Sequence, residues 1–180
     1  MGPRTVFLVE DETDLRLFPP LRAGWRRRGQ SAPVRITGRN AKRVVFGTLN
    51  PRTGHRVLLC RHRHRSEDFQ VYLAMVRWHY RGWSIVLLLD EDSCHTAKAS
   101  LRLAKKLGIK LIFLPKRSPH LNPMDHLWRD GKQKVCANRQ YPTVEVEVDR
   151  FIEHILGLTP GDALRKAGVL SKEFWLRNLL

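Results

Sequence analysis

The sequence lacks long hydrophobic runs, paired cysteines and a leader-like N-terminus. No apolar stretch approaches the roughly 20 residues that a membrane-spanning helix needs. Acidic residues follow directly on the first short apolar segment, which argues against a secretory signal. The three cysteines are far apart and form no CxxC pair, so neither a disulfide framework nor a zinc knuckle is predicted. We expect a cytoplasmic protein with reduced thiols and no contact with a membrane.

Acidic residues are scarce relative to basic ones. The 180 residues include 33 Lys+Arg against 17 Asp+Glu, a formal net charge of +16. Such an excess repels itself unless a polyanion neutralises it, and guanidinium groups suit bidentate contact with phosphate. An arginine-rich background composition is the alternative explanation. Because the cations are clustered, we predict DNA as the partner, with these residues in contact: Arg26, Arg27, Arg28, Arg61, Arg63, Arg65, Lys116 and Arg117.

No repeat and no Gly/Ser-rich linker divides the chain, and its length suits one compact unit. We therefore expect a single domain over residues 1–180, of which 159–180 form a C-terminal helical extension. Short β-rich segments come first, namely 6–9, 33–37, 43–49 and 56–60, with a hairpin turn at 50–54. A helix with one apolar face is predicted next over about 67–80, with Ser66 as its N-cap.

Helices and strands alternate in the second half of the sequence. The aliphatic run 85–89 ends on Asp90 and is typical of a central strand buried on both faces. A helix ending at Gly108, a strand over 111–114, a helix from about 123 and a helix capped by Thr143 follow. This order predicts an α/β fold, an RNase H-like mixed sheet flanked by helices, although other mixed-sheet folds share the order.

Three aspartates lie where this architecture can bring them together. Asp11 is predicted at the end of the first strand, Asp90 at the end of the fourth strand, and Asp125 near the start of a late helix. Divalent ions such as Mg²⁺ take oxygen ligands, and a pair of them can serve phosphodiester chemistry. Structural roles are open for two of the three: Asp11 suits a solvated strand end, and Asp125 suits the first turn of a helix.

Three segments of the sequence resemble a known family. Residues 114–128, LPKRSPHLNPMDHLW, resemble the LPxxSPxLNPxE/DxxW signature of mariner-type and related bacterial insertion-sequence transposases. Residues 89–95 resemble the DNAxxH segment of that family. The opening block of the family, DE…P…W…G, is similar to Asp11-Glu12 followed by Pro20, Trp25 and Gly29. The spacing between the second and third acids is also typical of these transposases.

The resemblance implies a site and a reaction. Asp11, Asp90 and Asp125 would ligate two Mg²⁺ or Mn²⁺ ions, and Trp128 would pack the helix that carries the third acid. The residues expected near the site are Glu12, His95 and Asn122. The implied activity is cleavage at the ends of a mobile element and transfer of the freed 3′-hydroxyl into target DNA, by a homodimer on paired ends. Glu91 departs from the family pattern, where asparagine is usual, and Asp92 follows it.

Other interpretations of the sequence predict different functions. The helix-turn-helix domains that precede the first catalytic strand in the family have no counterpart here, which predicts a separate polypeptide for end recognition or a non-catalytic DNA-binding remnant. A general RNase H-like structure-selective nuclease would share the acids but not the 114–128 segment. A phospho-receiver domain has a similar acidic opening, but the charge and the early strands argue against it. His62, His64 and Cys60 are interpreted as an exposed basic edge and not as a metal site.

Overall fold

A computed structural model describes residues 4–25, 27–30, 33–116 and 118–179. One five-stranded sheet organises them, in the order β3-β2-β1-β4-β5. Its strands are β1 (Thr5–Arg16), β2 (Lys42–Leu49), β3 (Arg56–Arg61), β4 (Ser84–Leu89) and β5 (Ile109–Phe113). The β1–β2 and β2–β3 pairs are antiparallel, whereas β1–β4 and β4–β5 are parallel, so the sheet is mixed.

Six α-helices are described around the sheet. They are α1 (Ser66–His79), α2 (Ser93–Thr96), α3 (Lys98–Lys106), α4 (Pro123–Gly131), α5 (Val144–Gly157) and α6 (Pro160–Lys166). A π-helical turn, Lys132–Cys136, continues α4, and single 3₁₀ turns lie at Pro119–Leu121 and Arg177–Leu179. Among the described helices, none combines the length and apolarity that a bilayer crossing requires.

Strand alternation sends the side chains of β1 into two different cores. Leu8 packs with Phe69 and Tyr72 of α1 on one face of the sheet. Leu15 packs on the opposite face in the cluster that holds residues of α4, α5 and α6. Because successive strand residues point to opposite faces, this arrangement needs helices on both sides. The predicted RNase H-like mixed sheet flanked by helices is confirmed.

One sequence-predicted strand, one strand end and one helix cap are wrong. Residues 33–37 are irregular rather than a strand, and they are mostly exposed with no strand beside them. The first strand does not stop at residue 9 but runs to Arg16, because β2 continues to pair with it. Ser66 is the first residue of α1 and not its cap; Arg65 holds the N-cap position without a side-chain bond. The cap by Thr143 is confirmed, since its hydroxyl accepts a bond from the Val146 amide.

Gly131 ends α4 at a position where a side chain has no room. A Cβ built there would lie 2.5 Å from the Phe151 ring and 3.1 Å from Ile155, both on α5. Helix propensity alone makes glycine about 1 kcal/mol worse than alanine at an interior helical position. The close packing of α5 on α4 therefore explains why glycine stands at position 131, although helix propensity disfavours it.

The variant Gly131→Ala is expected to destabilise the protein despite its better helix propensity. Overpacking costs about 1–3 kcal/mol, which exceeds the propensity gain of about 1 kcal/mol. Gly157→Ala is the matched control, because no described atom lies within 4 Å of a Cβ at the last residue of α5. That variant is expected to be neutral or slightly stabilising. Free energies of unfolding from urea titrations compare the two, and a Gly131→Ala protein as stable as the native chain would contradict the packing argument.

Candidate active site

Asp11 lies within β1 at the point where one of its neighbouring strands ends. Pairing between β1 and β4 stops at Val9 and Leu88, whereas β1 and β2 stay paired through Asp11 and Gly47 and beyond. The β4 side of β1 is therefore open from Asp11 onward. The strand β1 itself therefore does not end at Asp11; only its pairing with β4 ends before that residue. The Asp11 carboxylate can thus face groups outside the sheet.

Asp90 follows the last residue of β4, at the same edge of the sheet. Its Oδ1 accepts a hydrogen bond from the Asp92 amide at 2.9 Å and lies 2.9 Å from His95 Nδ1. His95 is 1% exposed, so the imidazole that holds Asp90 is fixed by its surroundings. The hydrogen bond from His95 is the main reason that the pKa of Asp90 is lowered. Asp90 is therefore oriented and ionised.

Asp125 reaches the site from the first turn of α4. Asn122 caps this helix by accepting a bond from the Met124 amide at 3.0 Å, with Pro123 at the first helical position. The Asn122 amide nitrogen also donates to the Glu10 carbonyl at 2.8 Å, which ties the start of α4 to β1. One side chain thereby fixes where Asp125 lies relative to Asp11. The Asp125 carboxylate also pairs with Arg129 at 2.7 Å, one turn along α4.

The three aspartates line one open cleft. Its volume is about 550 Å³. Its walls come from β1, the residues after β4, the segment after β5 and the start of α4. The lining residues are Asp11, Glu12, Asp90, Glu91, Asp92, Leu114, Pro115, Lys116, Ser118, Asn122 and Asp125. The expected neighbours Glu12 and Asn122 lie in this wall, and His95 lies behind Asp90.

The electrostatics of the cleft favour a bound cation. Burial raises the pKa of Asp11 well above its usual range, and the negative charges of Glu12, Asp90 and Asp125 raise it further. A carboxylate whose ionised form is opposed by its neighbours gains most from a nearby positive charge. The available donors are carboxylate oxygens, which Mg²⁺ and Mn²⁺ prefer. The residues present therefore fit divalent ions of this class.

A second group of polar side chains lies on the other face of β1, and the sequence patterns did not reveal it. His95 Nε2 is 3.5 Å from Glu10 Oε2 and 3.4 Å from Glu12 Oε2. His64, from the loop between β3 and α1, lies 2.9 Å from Glu12 Oε1 and 3.1 Å from the Cys94 sulfur. The interpretation of His64 as part of an exposed edge is wrong, because it turns inward to Cys94 rather than outward. The only sequence signal was strand alternation, which separates Glu10 and Glu12 from Asp11.

The basic residues predicted to contact DNA have different surroundings. Arg61 is paired with Asp68 of α1 at 2.7 Å, so it joins β3 to α1. Arg63 and Arg65 are exposed on either side of His64, and Lys116 is exposed in the cleft wall. Two further exposed residues, Arg27 and Arg28, lie in the long segment between β1 and β2. The remaining two, Arg26 and Arg117, lie outside the described residues.

Known proteins resemble this chain over most of its length. The family model described as "DDE superfamily endonuclease" matches residues 6–146. The "Insertion element IS630 uncharacterized 39 kDa protein" of Shigella sonnei is 29% identical over 133 residues, which cover 73% of this chain and 39% of the relative. The "Uncharacterized protein y4pE/y4sA" of Sinorhizobium fredii is 33% identical over 96 residues, which cover 53% of this chain and 69% of the relative.

Solved structures share the fold. The structure described as "Mos1 transposase paired-end complex with left transposon end" matches with a TM-score of 0.71 at 17% identity, covering 96% of this chain and 54% of that one. The "catalytic domain of Mos1 mariner transposase" matches with a TM-score of 0.64 at 14% identity, covering 93% of this chain and 78% of that one. The chain thus spans only about half of the first of these proteins, and less of the Shigella relative. Since the family model covers well over half of the sequence, the chain belongs to the DDE superfamily endonucleases.

Proposed function

We propose that this chain is the catalytic domain of a DNA transposase. Asp11, Asp90 and Asp125 hold two Mg²⁺ or Mn²⁺ ions. When bound, the ions supply an activated water for cleavage at an element's end and charge stabilisation for attack by the freed 3′-hydroxyl on target DNA. The observation that carries the proposal is the meeting of three carboxylates from separate parts of a strongly basic chain in one cleft.

The chain's own residues position the reacting groups. His95 holds Asp90 from behind, and Asn122 holds α4 against β1. Lys116 lies in the cleft wall, where its ammonium group can contact a phosphate beside the scissile bond. Arg63 and Arg65 extend the positive surface along the loop next to Glu12. Because ion pairing with phosphates carries no base information, this surface supports binding without sequence specificity.

The proposed partners follow from the chemistry. Paired element ends require paired active sites, so we propose that a second copy of the chain acts at the other end. Recognition of the end sequence is assigned to other protein segments, on this polypeptide or a separate one. The Shigella relative and the Mos1 transposase structure extend well beyond the matched region, which supports this division of labour.

Two assays test the proposal. One measures cleavage of a radiolabelled duplex in Mg²⁺, in Mn²⁺ and in EDTA as the metal-free control, and the other measures transfer of a pre-cut 3′ end into plasmid DNA. Metal-dependent nicking and joined products are expected. DNA affinity is measured in parallel as a function of salt, and its logarithm is expected to fall by about 0.9 per tenfold rise in salt for each phosphate contact. Binding without cleavage in either metal would favour the non-catalytic remnant, and cleavage without joining would favour a general nuclease.

Replacing Asn122 by alanine is expected to lower both stability and cleavage. Loss of an N-cap costs about 0.5–2 kcal/mol. The lost bond to Glu10 also frees α4 to shift Asp125, and displacement of a reacting group by about 1 Å can cost 10²-fold in rate. Thr143→Ala is the matched control, because it removes the cap of α5 away from the cleft. Similar unfolding free energies with cleavage reduced only in Asn122→Ala are the expected result; equal cleavage rates would show that Asn122 acts only as a cap.

A further inference from the structure

Three ligand groups converge behind the cleft, on the side of the sheet that faces α1, and a carboxylate lies beside them. One ligand atom of each of His64, Cys94 and His95 lies within 4.8 Å of the others. The Glu12 carboxylate reaches both imidazoles, with Oε1 2.9 Å from His64 Nε2 and Oε2 3.4 Å from His95 Nε2. These groups come from β1, the loop before α1, and the start of α2. We propose that His64, Cys94 and His95 form a structural Zn²⁺ site with Glu12 as the fourth ligand, next to the aspartate cleft that Glu12 also lines.

Three of the contacts between these atoms are close to the spacing found in tetrahedral coordination. Zinc bonds of about 2.0–2.3 Å place the ligand atoms of a tetrahedron roughly 3.3–3.7 Å apart. His64 Nε2 lies 3.1 Å from Cys94 Sγ, and the two contacts of the Glu12 carboxylate are 2.9 and 3.4 Å. Two imidazoles, a thiolate and a carboxylate are a donor set that zinc prefers, whereas magnesium does not take sulfur.

Two buried polar atoms at this place lie 3.4 Å apart and form no hydrogen bond with each other or with other described groups. Glu12 Oε2 and His95 Nε2 are buried, and neither has a hydrogen bond within the described part of the chain. His95 is 1% exposed, so solvent does not serve as the partner of its ring. Unsatisfied buried polar atoms are costly and rare in folded proteins. A cation among them removes that cost.

The second nitrogen of His95 has the partner that a metal-bound histidine normally has. His95 Nδ1 lies 2.9 Å from Asp90 Oδ1 and is placed to donate to it. Ligating histidines nearly always donate their other ring N–H to a carboxylate or carbonyl, which fixes the tautomer and aims Nε2 at the metal. Here that carboxylate is one of the aspartates of the cleft. The zinc ion would therefore hold His95, and through it Asp90, in a fixed orientation.

Cobalt substitution tests this site separately from the aspartate cleft. The purified full chain is loaded with Co²⁺ in excess Mg²⁺, and absorption is recorded in the near-ultraviolet and visible ranges. A thiolate-to-cobalt charge-transfer band with tetrahedral visible bands is expected. In the chain as purified, before cobalt is added, metal analysis should give about one zinc ion per chain. The described lining of the cleft contains no sulfur, so a thiolate band does not come from the cleft. The measurement needs no catalytic activity, so its outcome is independent of the proposed function.

Variants assign the band to individual residues. Cys94→Ser is expected to abolish the thiolate band and to lower the zinc content, and His64→Gln to weaken zinc binding at least tenfold. Cys136→Ser is the matched control, since Cys136 is a buried free cysteine in the other core. Asp125→Asn removes a cleft carboxylate and is expected to leave the band intact. A native chain that is folded by circular dichroism but gives no thiolate band in excess Co²⁺ would overturn the proposal, as would zinc retained by Cys94→Ser.

Discussion

Asp90→Asn and Asp125→Asn are each expected to abolish metal-dependent DNA cleavage. A metal ligand contributes several kcal/mol of transition-state stabilisation, and about 4 kcal/mol corresponds to roughly 10³-fold in rate. Asparagine keeps the size of each side chain and an oxygen acceptor, so the Asp90 contacts to Asp92 and His95 can persist. The fold is therefore expected to survive while the charge is lost. Single-turnover cleavage of a duplex in Mg²⁺ and Mn²⁺ measures the effect.

A control variant shows whether the loss of activity is specific to the triad or follows from the loss of any carboxylate. Asp149→Asn changes an exposed carboxylate on α5 and is expected to leave the rate within about twofold, as distant surface charges are weakly coupled through water. Glu91→Gln is a second control, because it removes the charge of a cleft residue that does not belong to the triad. Asp11→Asn should match the other two triad variants, and it is the most informative because Asp11 is the acid with neighbouring carboxylates on both sides. Cleavage that survives Asp90→Asn or Asp125→Asn at near-native rates would refute the proposed metal ligands.

Trp128→Ala is expected to cause the largest loss of stability, about 3–5 kcal/mol for removal of a buried aromatic side chain. Trp128 is 2% exposed, and its ring centroid lies 5.8 Å from that of Phe151. It packs α4 against β2 at Gly47, the residue paired with Asp11 in the sheet. A large cavity there would loosen the helix that carries Asp125, so cleavage is expected to fall as well. Thermal and urea unfolding measure the stability change.

A double-mutant cycle tests whether Trp128 fills the space that Gly47 leaves. A Cβ at Gly47 would lie 2.7 Å from Trp128 Cζ2 and 2.7 Å from Leu58 Cδ2, so Gly47→Ala is expected to cost about 1–3 kcal/mol in the native background. In the Trp128→Ala background the added methyl group enters the vacated space, and the cost should shrink towards zero. Equal costs in both backgrounds would mean that the two residues do not share this space.

Local sequence patterns predicted several elements that depend on near neighbours, although the cap predicted at Ser66 was wrong. The aliphatic run before Asp90 is β4, and Thr143 caps α5. The segment 33–37 failed because β-forming residues make a strand only when another strand pairs with them, and none does so here. The end of β1 was misplaced for the same reason, since pairing with β2 extends it beyond Asp11.

Several features of the site could not be read from the sequence. Arg61 looked like a member of a DNA-binding cluster but is paired with Asp68 on α1. His64 looked exposed, yet it meets Cys94, thirty residues later in the chain. The bond from Asn122 to Glu10 joins residues more than a hundred positions apart. None of these contacts leaves a periodicity or a spacing in the sequence.

The sequence by itself determined the family, the basic surface and the three acids as candidates, because motif, composition and charge are properties of the chain alone. Tertiary structure decided which groups meet. The end of β1–β4 pairing frees one side of Asp11, and strand alternation separates Asp11 from Glu10 and Glu12. The Glu12 carboxylate lines the aspartate cleft and also contacts His64 and His95. Strand order and register determine which side chains come into contact, and both are fixed only when the whole sheet assembles.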